Sequence, residues 1–243
     1  MLFLLACDPP LPETVILYGA VYDAPNMTGA VLADVALETL NLSLESTGTA
    51  TSAEDGYFEV NVAAGEDFFL VLDRESYHPS SFSGLSGYVN LLAGIGVPWV
   101  ASEEFGASLV EDFADCSSAP ASVGETTGLA TGEIRLYLQG VNPWDSPMAS
   151  EASITITGSD GKTVPVCVLD DEGSSLESGT KVGATGRFVA FGLPPGPILA
   201  EVSYTSTSAT VDTSQYRGYV PKAARGVPGV ALFYPIYIEG WGE

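Results

Sequence analysis

The sequence predicts an all-β protein that consists of two tandem antiparallel β-sandwiches joined by a short helical linker. Short runs of β-branched and aromatic residues recur, turn-forming residues separate them, and the arrangement occurs twice along the 243 residues. With 46% hydrophobic and 16% charged residues, the chain is apolar enough to bury cores. We expect a tether at 1–13, a first sandwich at 14–90, a linker at 91–128 and a second sandwich at 129–243.

The first predicted sandwich begins with Thr14–Tyr22, a run rich in β-branched and aromatic residues. Apolar and polar residues alternate over Tyr57–Val62, as in a strand with one buried face. The preceding Glu54-Asp55-Gly56 has the composition of a tight turn. Another apolar run, Phe68–Leu72, follows Gly65. This spacing is typical of a sandwich.

These residues resemble a known module. Three segments are similar to the strands and hairpin of the carboxypeptidase regulatory-like, or transthyretin-like, domain: Gly19-Ala20-Val21, Ala33–Leu37, and Asp55–Phe58 followed by Gly65. The resemblance implies an Ig-like antiparallel β-sandwich that serves as an accessory module and not as a catalytic domain.

A second copy of the pattern begins at Thr131. Its strands are predicted at Gly132–Leu138, Ala152–Ile156 and Gly186–Phe191, and the Gly-Leu-Pro-Pro-Gly turn at 192–196 is a frequent signature of the same family. The resemblance therefore covers most of the chain beyond the tether.

The last predicted strand is Val230–Ile238, which closes the second sandwich. Pro235 interrupts its row of backbone donors, so an edge position is expected.

Residues 80–128 interrupt the β pattern. Phe105, Leu109 and Phe113 recur at four-residue spacing, and Ser102 stands where an N-cap is expected. This segment is predicted to form a short amphipathic helix that packs between the two modules.

The N-terminal Leu4-Leu5-Ala6-Cys7 resembles a bacterial lipobox, which implies export and a diacylglycerol anchor on Cys7. The following Asp8–Pro12 suits a tether because its prolines do not continue a helix. Only five apolar residues follow the initiator, fewer than an ordinary signal peptide carries. A hydrophobic first strand with a chance cysteine is the alternative. The lipobox predicts a lipid-anchored protein of the cell envelope, at the outer membrane or cell surface, whose membrane contact is made through the anchor.

Acylation of Cys7 would leave Cys116 and Cys167, which could pair in the oxidising envelope. Two unpaired buried thiols are the alternative. Neither cysteine has a second ligand at the spacing of a metal site.

Acidic residues dominate the charge: 31 acids against 8 basic residues give −23. Such a charge repels phosphate backbones, so no nucleic-acid binding is expected. The acids are scattered, and their one run, Asp170–Glu172, precedes Gly-Ser-Ser and is predicted to be a solvated turn. No metal or cofactor is predicted.

The chain has a single histidine, His78, which precedes Pro79 in a predicted loop. One histidine cannot supply the several that metal-dependent enzymes on similar scaffolds use, and no Gly-x-Ser-x-Gly elbow accompanies it. No catalytic residue is therefore assigned, and we expect a non-enzymatic structural or protein-interaction module.

Two alternatives to the structural module differ in class. A carbohydrate- or peptide-binding surface protein could use Trp144 in Asn142–Asp145, since exposed loop aromatics stack on ligands. Trp99 and Trp241 are likewise predicted in loops or termini. A carboxylate-based hydrolase would need two facing acids in a cleft, and nothing singles out a pair. Envelope proteins or glycans are the expected partners.

Overall fold

The computed structural model describes residues 11–23, 30–92, 99–137, 145–176, 181–205 and 211–239. Within these ranges the chain is mostly β, with one α-helix, α1 (Glu103–Asp112), and a 3-10 turn at Val123–Glu125. No described helix has the length and apolar character needed to cross a membrane. The strands of the first half are β1 (Thr14–Ala20), β2 (Tyr22–Asp23), β3 (Ala36–Asn41), β4 (Ser46–Thr51), β5 (Tyr57–Ala63), β6 (Asp67–Asp73), β7 (Tyr77–His78), β8 (Ser80–Leu85), β9 (Leu91–Leu92) and β10 (Trp99–Ser102). Those of the second half are β11 (Gly128–Tyr137), β12 (Ser153–Thr157), β13 (Thr163–Val164), β14 (Cys167–Leu169), β15 (Ser175–Leu176), β16 (Arg187–Phe191), β17 (Gly196–Thr205), β18 (Val211–Val220) and β19 (Gly229–Glu239).

The predicted β-sandwich class is confirmed. In the first half the sheet β5-β1-β9 covers β8-β6-β3-β4, and a core that includes Leu17, Leu37, Val60 and Leu70 lies between them. In the second half β13-β12-β17-β18 covers β14-β16-β11-β19 around a core that includes Ile134, Ile156, Phe188 and Val202.

Both halves repeat one strand-pairing scheme. The antiparallel pairs β1·β5, β3·β4, β3·β6 and β6·β8 correspond to β11·β16, β12·β13, β12·β17 and β17·β18. Each half also has a parallel pair on its first strand, β1·β9 or β11·β19, and the first half has a further parallel pair, β2·β10. The antiparallel prediction did not include these pairs. The repeated pairing accounts for the repeated sequence pattern, since equivalent strands bury equivalent faces.

The two sandwiches share one continuous sheet. Its nine strands follow the order β15-β14-β16-β11-β19-β8-β6-β3-β4, and β8 and β19 are parallel with Ser80 opposite Val230 and Ser81 opposite Ala231. We call this β8–β19 contact, with the side chains that flank it, the seam. Backbone hydrogen bonds therefore cross from one module to the other.

The prediction that the last strand is an edge strand was wrong. β19 lies between β11 and β8 and is buried on both faces: Ala231 and Phe233 enter the second core, and Leu232 enters a third. Pro235 is tolerated because the register with β11 shifts between Gly132 and Ile134, so its missing N–H removes no ladder bond to β11 there.

The third core lies under the linker helix. Ser102 caps α1 by accepting a 3.1 Å hydrogen bond from the Phe105 amide, and Phe105, Leu109 and Phe113 are buried, as their spacing predicts. They pack on the outer face of β11, β16 and β19. Each such side chain contributes about 1.5–3 kcal/mol through burial, so the linker is an integral part of the fold.

A strand that the sequence analysis missed begins at Ser80, where the β pattern was predicted to stop. Ser80 and Ser81 of β8 are fully buried although their side chains are polar. The Ser80 hydroxyl donates to the His78 carbonyl and accepts from the Ala101 amide, and Ser81 Oγ donates to the Tyr219 carbonyl. Satisfied hydroxyls make a polar sequence compatible with a buried strand.

Candidate functional site

Cys116 and Cys167 form the predicted disulfide. Their Cα atoms are 6.2 Å apart, and both residues are buried in the core under α1. Cys116 follows the end of the helix closely and Cys167 begins β14. The bond therefore fastens the linker to the outer part of the second sandwich.

The lipidation prediction for Cys7 and the ligand-binding prediction for Trp144 fall outside the described residues, as does Trp241. Trp99 is described, and the prediction that it occupies a loop was wrong. It lies in β10 and is 4% exposed, with its ring centroid 5.2 Å from that of Tyr234. Packing between α1, β10 and β19 buries this ring, so Trp99 does not offer a surface for a ligand.

His78 lies in β7 and not in the predicted loop, and its side chain is fully buried. Nδ1 donates to the Pro228 carbonyl at 3.0 Å, and Nε2 faces Gly106 of α1, where an added Cβ would be 2.4 Å away. Burial lowers the pKa of His78, so the neutral ring is favoured. This histidine joins three parts of the chain: the first module, the helix α1 and the loop that leads into β19.

Ser86, which follows the end of β8, also has a structural role. Ser86 Oγ donates to the backbone carbonyl of Ala63 and accepts from the Glu66 amide, which holds the end of β8 against the β5–β6 turn. The hydroxyl nearest to His78 in sequence, that of Ser80, contacts the His78 carbonyl and not its ring. The geometry does not assemble a nucleophile and a base from these residues.

The acidic run forms the predicted turn. Asp170 Oδ1 accepts hydrogen bonds from the Glu172 and Ser174 amides at 3.0 and 2.7 Å, and Asp171 Oδ1 accepts one from the Ala184 amide at 2.7 Å. These oxygens stabilise local backbone. Over the described ranges, no three or more His, Cys, Asp or Glu side chains gather as metal ligands would.

The seam is reinforced by side chains. Arg225, in the loop before β19, makes a two-point contact with the Asp73 carboxylate at the end of β6 and donates to the Arg74 carbonyl at 2.8 Å. The Asp73 contact raises the pKa of Arg225. Both side chains are 40% exposed, so this pair directs the geometry more than it stabilises the fold.

A groove of about 590 Å³ lies beside the seam. Leu42 and Phe69 of the first module form one wall, and Ile198, Gln215 and Arg217 of the second form the other. Arg217 Nε is 4.0 Å from Asp67 Oδ2, and Gln215 donates to Glu201 at 3.0 Å. The volume is in the range of small-ligand sites, and the lining pairs apolar surface with a guanidinium and an amide. Such a lining suits an apolar ligand that carries a hydrogen-bond acceptor.

Comparison with known proteins gives no family. No protein-family model matches the chain, and no curated protein sequence matches it. Three solved structures with similarity are the Bacillus anthracis TIE protein (11% identity, 93% of this chain, 34% of that chain, TM-score 0.29), the major pilin subunit of Bacillus cereus (8%, 93%, 99%, 0.29) and the minor pilin of Streptococcus agalactiae (10%, 93%, 94%, 0.31). The chain spans about a third of the first. With TM-scores below 0.5, these similarities assign neither fold nor function, and both rest on the strands and residues of the chain.

Proposed function

We propose that this chain is a non-catalytic, lipid-anchored protein of the cell envelope that acts as a structural or protein-interaction module. It holds two carboxypeptidase regulatory-like sandwiches, at 14–90 and 129–243, at a fixed mutual orientation. The observation that carries the proposal is the continuous nine-stranded sheet, because domains of one chain otherwise move relative to each other by default.

Four features together support a rigid unit. Backbone pairing crosses the seam at Ser80 and Ser81, and Arg225 forms a salt bridge with Asp73 beside it. The helix buries apolar side chains against the sheet, and the disulfide fastens the segment that follows it. A rigid unit of this kind transmits position and force, which is what a spacer in an envelope requires.

The placement of His78 supports a non-catalytic role. The ring is buried, one nitrogen is bonded to the Pro228 carbonyl, and the other faces the backbone of α1. A general base must reach the proton that it abstracts, and a ring enclosed in this way does not.

The disulfide supports export. A buried disulfide persists in oxidising compartments such as the bacterial periplasm and the cell surface. The net charge of −23 also favours solubility, because equally charged copies of the chain repel one another.

The anchor is tested by metabolic labelling with a palmitate analogue, using the chain with its native start and its Cys7→Ser variant. Label on the wild type alone, together with recovery of the wild type in the membrane fraction, is the expected result. Equal labelling of the two proteins, or none, contradicts the lipid anchor.

The rigid arrangement is tested by small-angle X-ray scattering of the chain carrying Cys7→Ser. A single set of dimensions that fits the joined sandwiches is expected. Ser81→Pro removes a donor from the seam strand and should broaden the distribution of interatomic distances. The same broadening in the chain without this proline would contradict a fixed spacer.

A carbohydrate- or peptide-binding surface protein is the second candidate, and the groove beside the seam favours it. Binding on glycan and peptide arrays that Arg217→Ala weakens would place the ligand in the groove. Loss with Trp144→Ala alone would place it on the Trp144 loop instead.

A further inference from the structure

One end of the first sandwich exposes a cluster of apolar side chains. Val89 is 70% exposed, Leu85 69%, Leu11 64% and Tyr88 51%, which makes them the four most exposed large hydrophobic residues among those described. We call these four residues the apolar end. Single exposed hydrophobic residues are normal, but the concentration of the extreme cases at one place marks an interaction surface.

Hydrogen bonds place these residues together. The Ala64 amide donates to the Glu13 carbonyl at 3.0 Å, which puts Leu11, two residues earlier, beside the β5–β6 turn. The Gly65 amide in that turn donates to the Gly87 carbonyl at 3.0 Å, and Asp67 pairs with Leu85.

The segment that carries Tyr88 and Val89 crosses the end of the sandwich from one sheet to the other. It leaves β8 at Leu85, and Asn90 Oδ1 accepts a 3.1 Å hydrogen bond from the Ile16 amide of β1. The Tyr88 ring covers Gly65, where a Cβ would lie 2.6 Å from its hydroxyl. The apolar side chains are therefore held on ordered backbone that faces away from the core.

The length of the predicted tether limits the distance between this end and an anchored membrane. Leu11 lies four positions after Cys7, and an extended chain spans at most about 3.6 Å per residue, so Leu11 stays within about 14 Å of the acylated cysteine. The headgroup layer of a bilayer is about 5–7 Å thick on each side. An anchor at Cys7 thus brings the apolar end within reach of the headgroups.

We propose that the apolar end binds the interface of a phospholipid bilayer with Leu11, Leu85, Tyr88 and Val89, and so sets the orientation of the module on the membrane. This inference rests on the proposed lipid anchor for its choice of partner. Tyrosine suits such a position because its ring is apolar and its hydroxyl remains in water. Because Glu13 and Glu66 are exposed beside the cluster, zwitterionic headgroups are preferred to anionic ones.

The test uses the full chain with Cys7→Ser, so that no acyl group contributes, and phosphatidylcholine vesicles. Flotation at increasing lipid concentration gives a partition coefficient. We expect Leu85→Ser with Val89→Ser to lower it tenfold or more, since full burial of one aliphatic side chain is by itself worth about tenfold and two are removed. Replacement of a third of the lipid by phosphatidylglycerol should weaken binding of the unmodified end.

A matched control changes the same residue types elsewhere. Val31 is 42% exposed and lies by the Gly56 turn, at the opposite end of β5, and Leu176 is 36% exposed in the edge strand β15. Val31→Ser with Leu176→Ser should leave the partition coefficient within about twofold of the parent. Equal losses in both double variants would overturn the proposal.

A second measurement does not depend on removing apolar side chains. Val89→Cys or Val31→Cys, each in the Cys7→Ser chain, is labelled with an environment-sensitive fluorophore. A blue shift on vesicles is expected for position 89 alone, and no shift there overturns the proposal.

The results separate this inference from the anchor. Palmitate labelling of Cys7 without vesicle binding by the Cys7→Ser chain would keep the anchor and reject the apolar end. Vesicle binding without palmitate labelling would keep the apolar end as a membrane-binding surface and reject the anchor. Sedimentation that shows a dimer, lost with Leu85→Ser and Val89→Ser while flotation is unchanged, would assign the surface to a second copy of the chain and overturn the membrane contact.

Discussion

Replacing both Cys116 and Cys167 with serine should lower the free energy of unfolding by about 4 kcal/mol. The two residues are 51 positions apart, and the chain-entropy relation gives about 14 cal/mol/K for a loop of that length, or about 4 kcal/mol at 25 °C. The loop contains β11, β12 and β13, and its closure restricts β11, whose partners β16 and β19 both lie outside the loop.

Serine is the appropriate replacement because each hydroxyl would find a partner. Ser118 Oγ lies 3.3 Å from Cys167 Sγ, and the Leu176 carbonyl oxygen lies 3.5 Å from Cys116 Sγ. The variant therefore adds little penalty from unsatisfied polar groups, and the measured loss reports mainly the covalent link.

Urea denaturation of the wild type and of the double variant, both with Cys7→Ser, measures this loss. A lower midpoint is expected, with a steeper slope because the unfolded chain without the cross-link exposes more surface. Cys116→Ser alone should lose about as much, because it breaks the same bond. A loss below about 1 kcal/mol would refute the loop-entropy argument. A wild-type urea midpoint that stays the same when a reductant is added would show that no cross-link contributes to stability.

Three further predictions concern single residues. At a pH between the lowered pKa of folded His78 and its unfolded value of about 6.5, the unfolded chain binds one more proton than the folded chain. The free energy of unfolding should therefore fall as the pH decreases through that range. Urea midpoints of His78→Gln should lack this part of the pH dependence. Gly132→Ala would place a Cβ 2.1 Å from the Phe233 carbonyl oxygen, so we expect a loss of about 2 kcal/mol or more in thermal unfolding, and an unchanged melting temperature would contradict that packing. Ser102→Ala removes the helix cap and should cost about 1 kcal/mol, while Ser102→Asp should retain most of it in the same urea assay.

The helix shows how local rules succeed. Its cap and its Phe105, Leu109 and Phe113 spacing depend on neighbours within a turn or two, so the sequence alone predicts them. The same holds for the alternating strand at Tyr57–Val62, because one face meets the core and the other meets water.

The apolar end and the seam depend on distant partners. Leu85 and Val89 are ordinary loop residues in the sequence, and only the fold places them beside Leu11. A run of Leu, Tyr and Val among Ser and Gly was the available signal. Ser80 and Ser81 gave no signal of a buried strand, because serine is a common loop residue. Their burial requires hydrogen-bond acceptors that the sequence alone does not place.

Sequence by itself determined the β class, the twofold repeat and the linker helix, since each follows from local periodicity and composition. It left both the paired and the unpaired state of Cys116 and Cys167 open, and the structure decided for the disulfide. Tertiary structure alone decided that β19 is central, that His78 is enclosed and that one sheet joins the modules. The physical reason is that strand neighbours are chosen by hydrogen bonding and burial between segments far apart in the chain, and a proline or a serine reports its own backbone preference but not the partner that lies beside it.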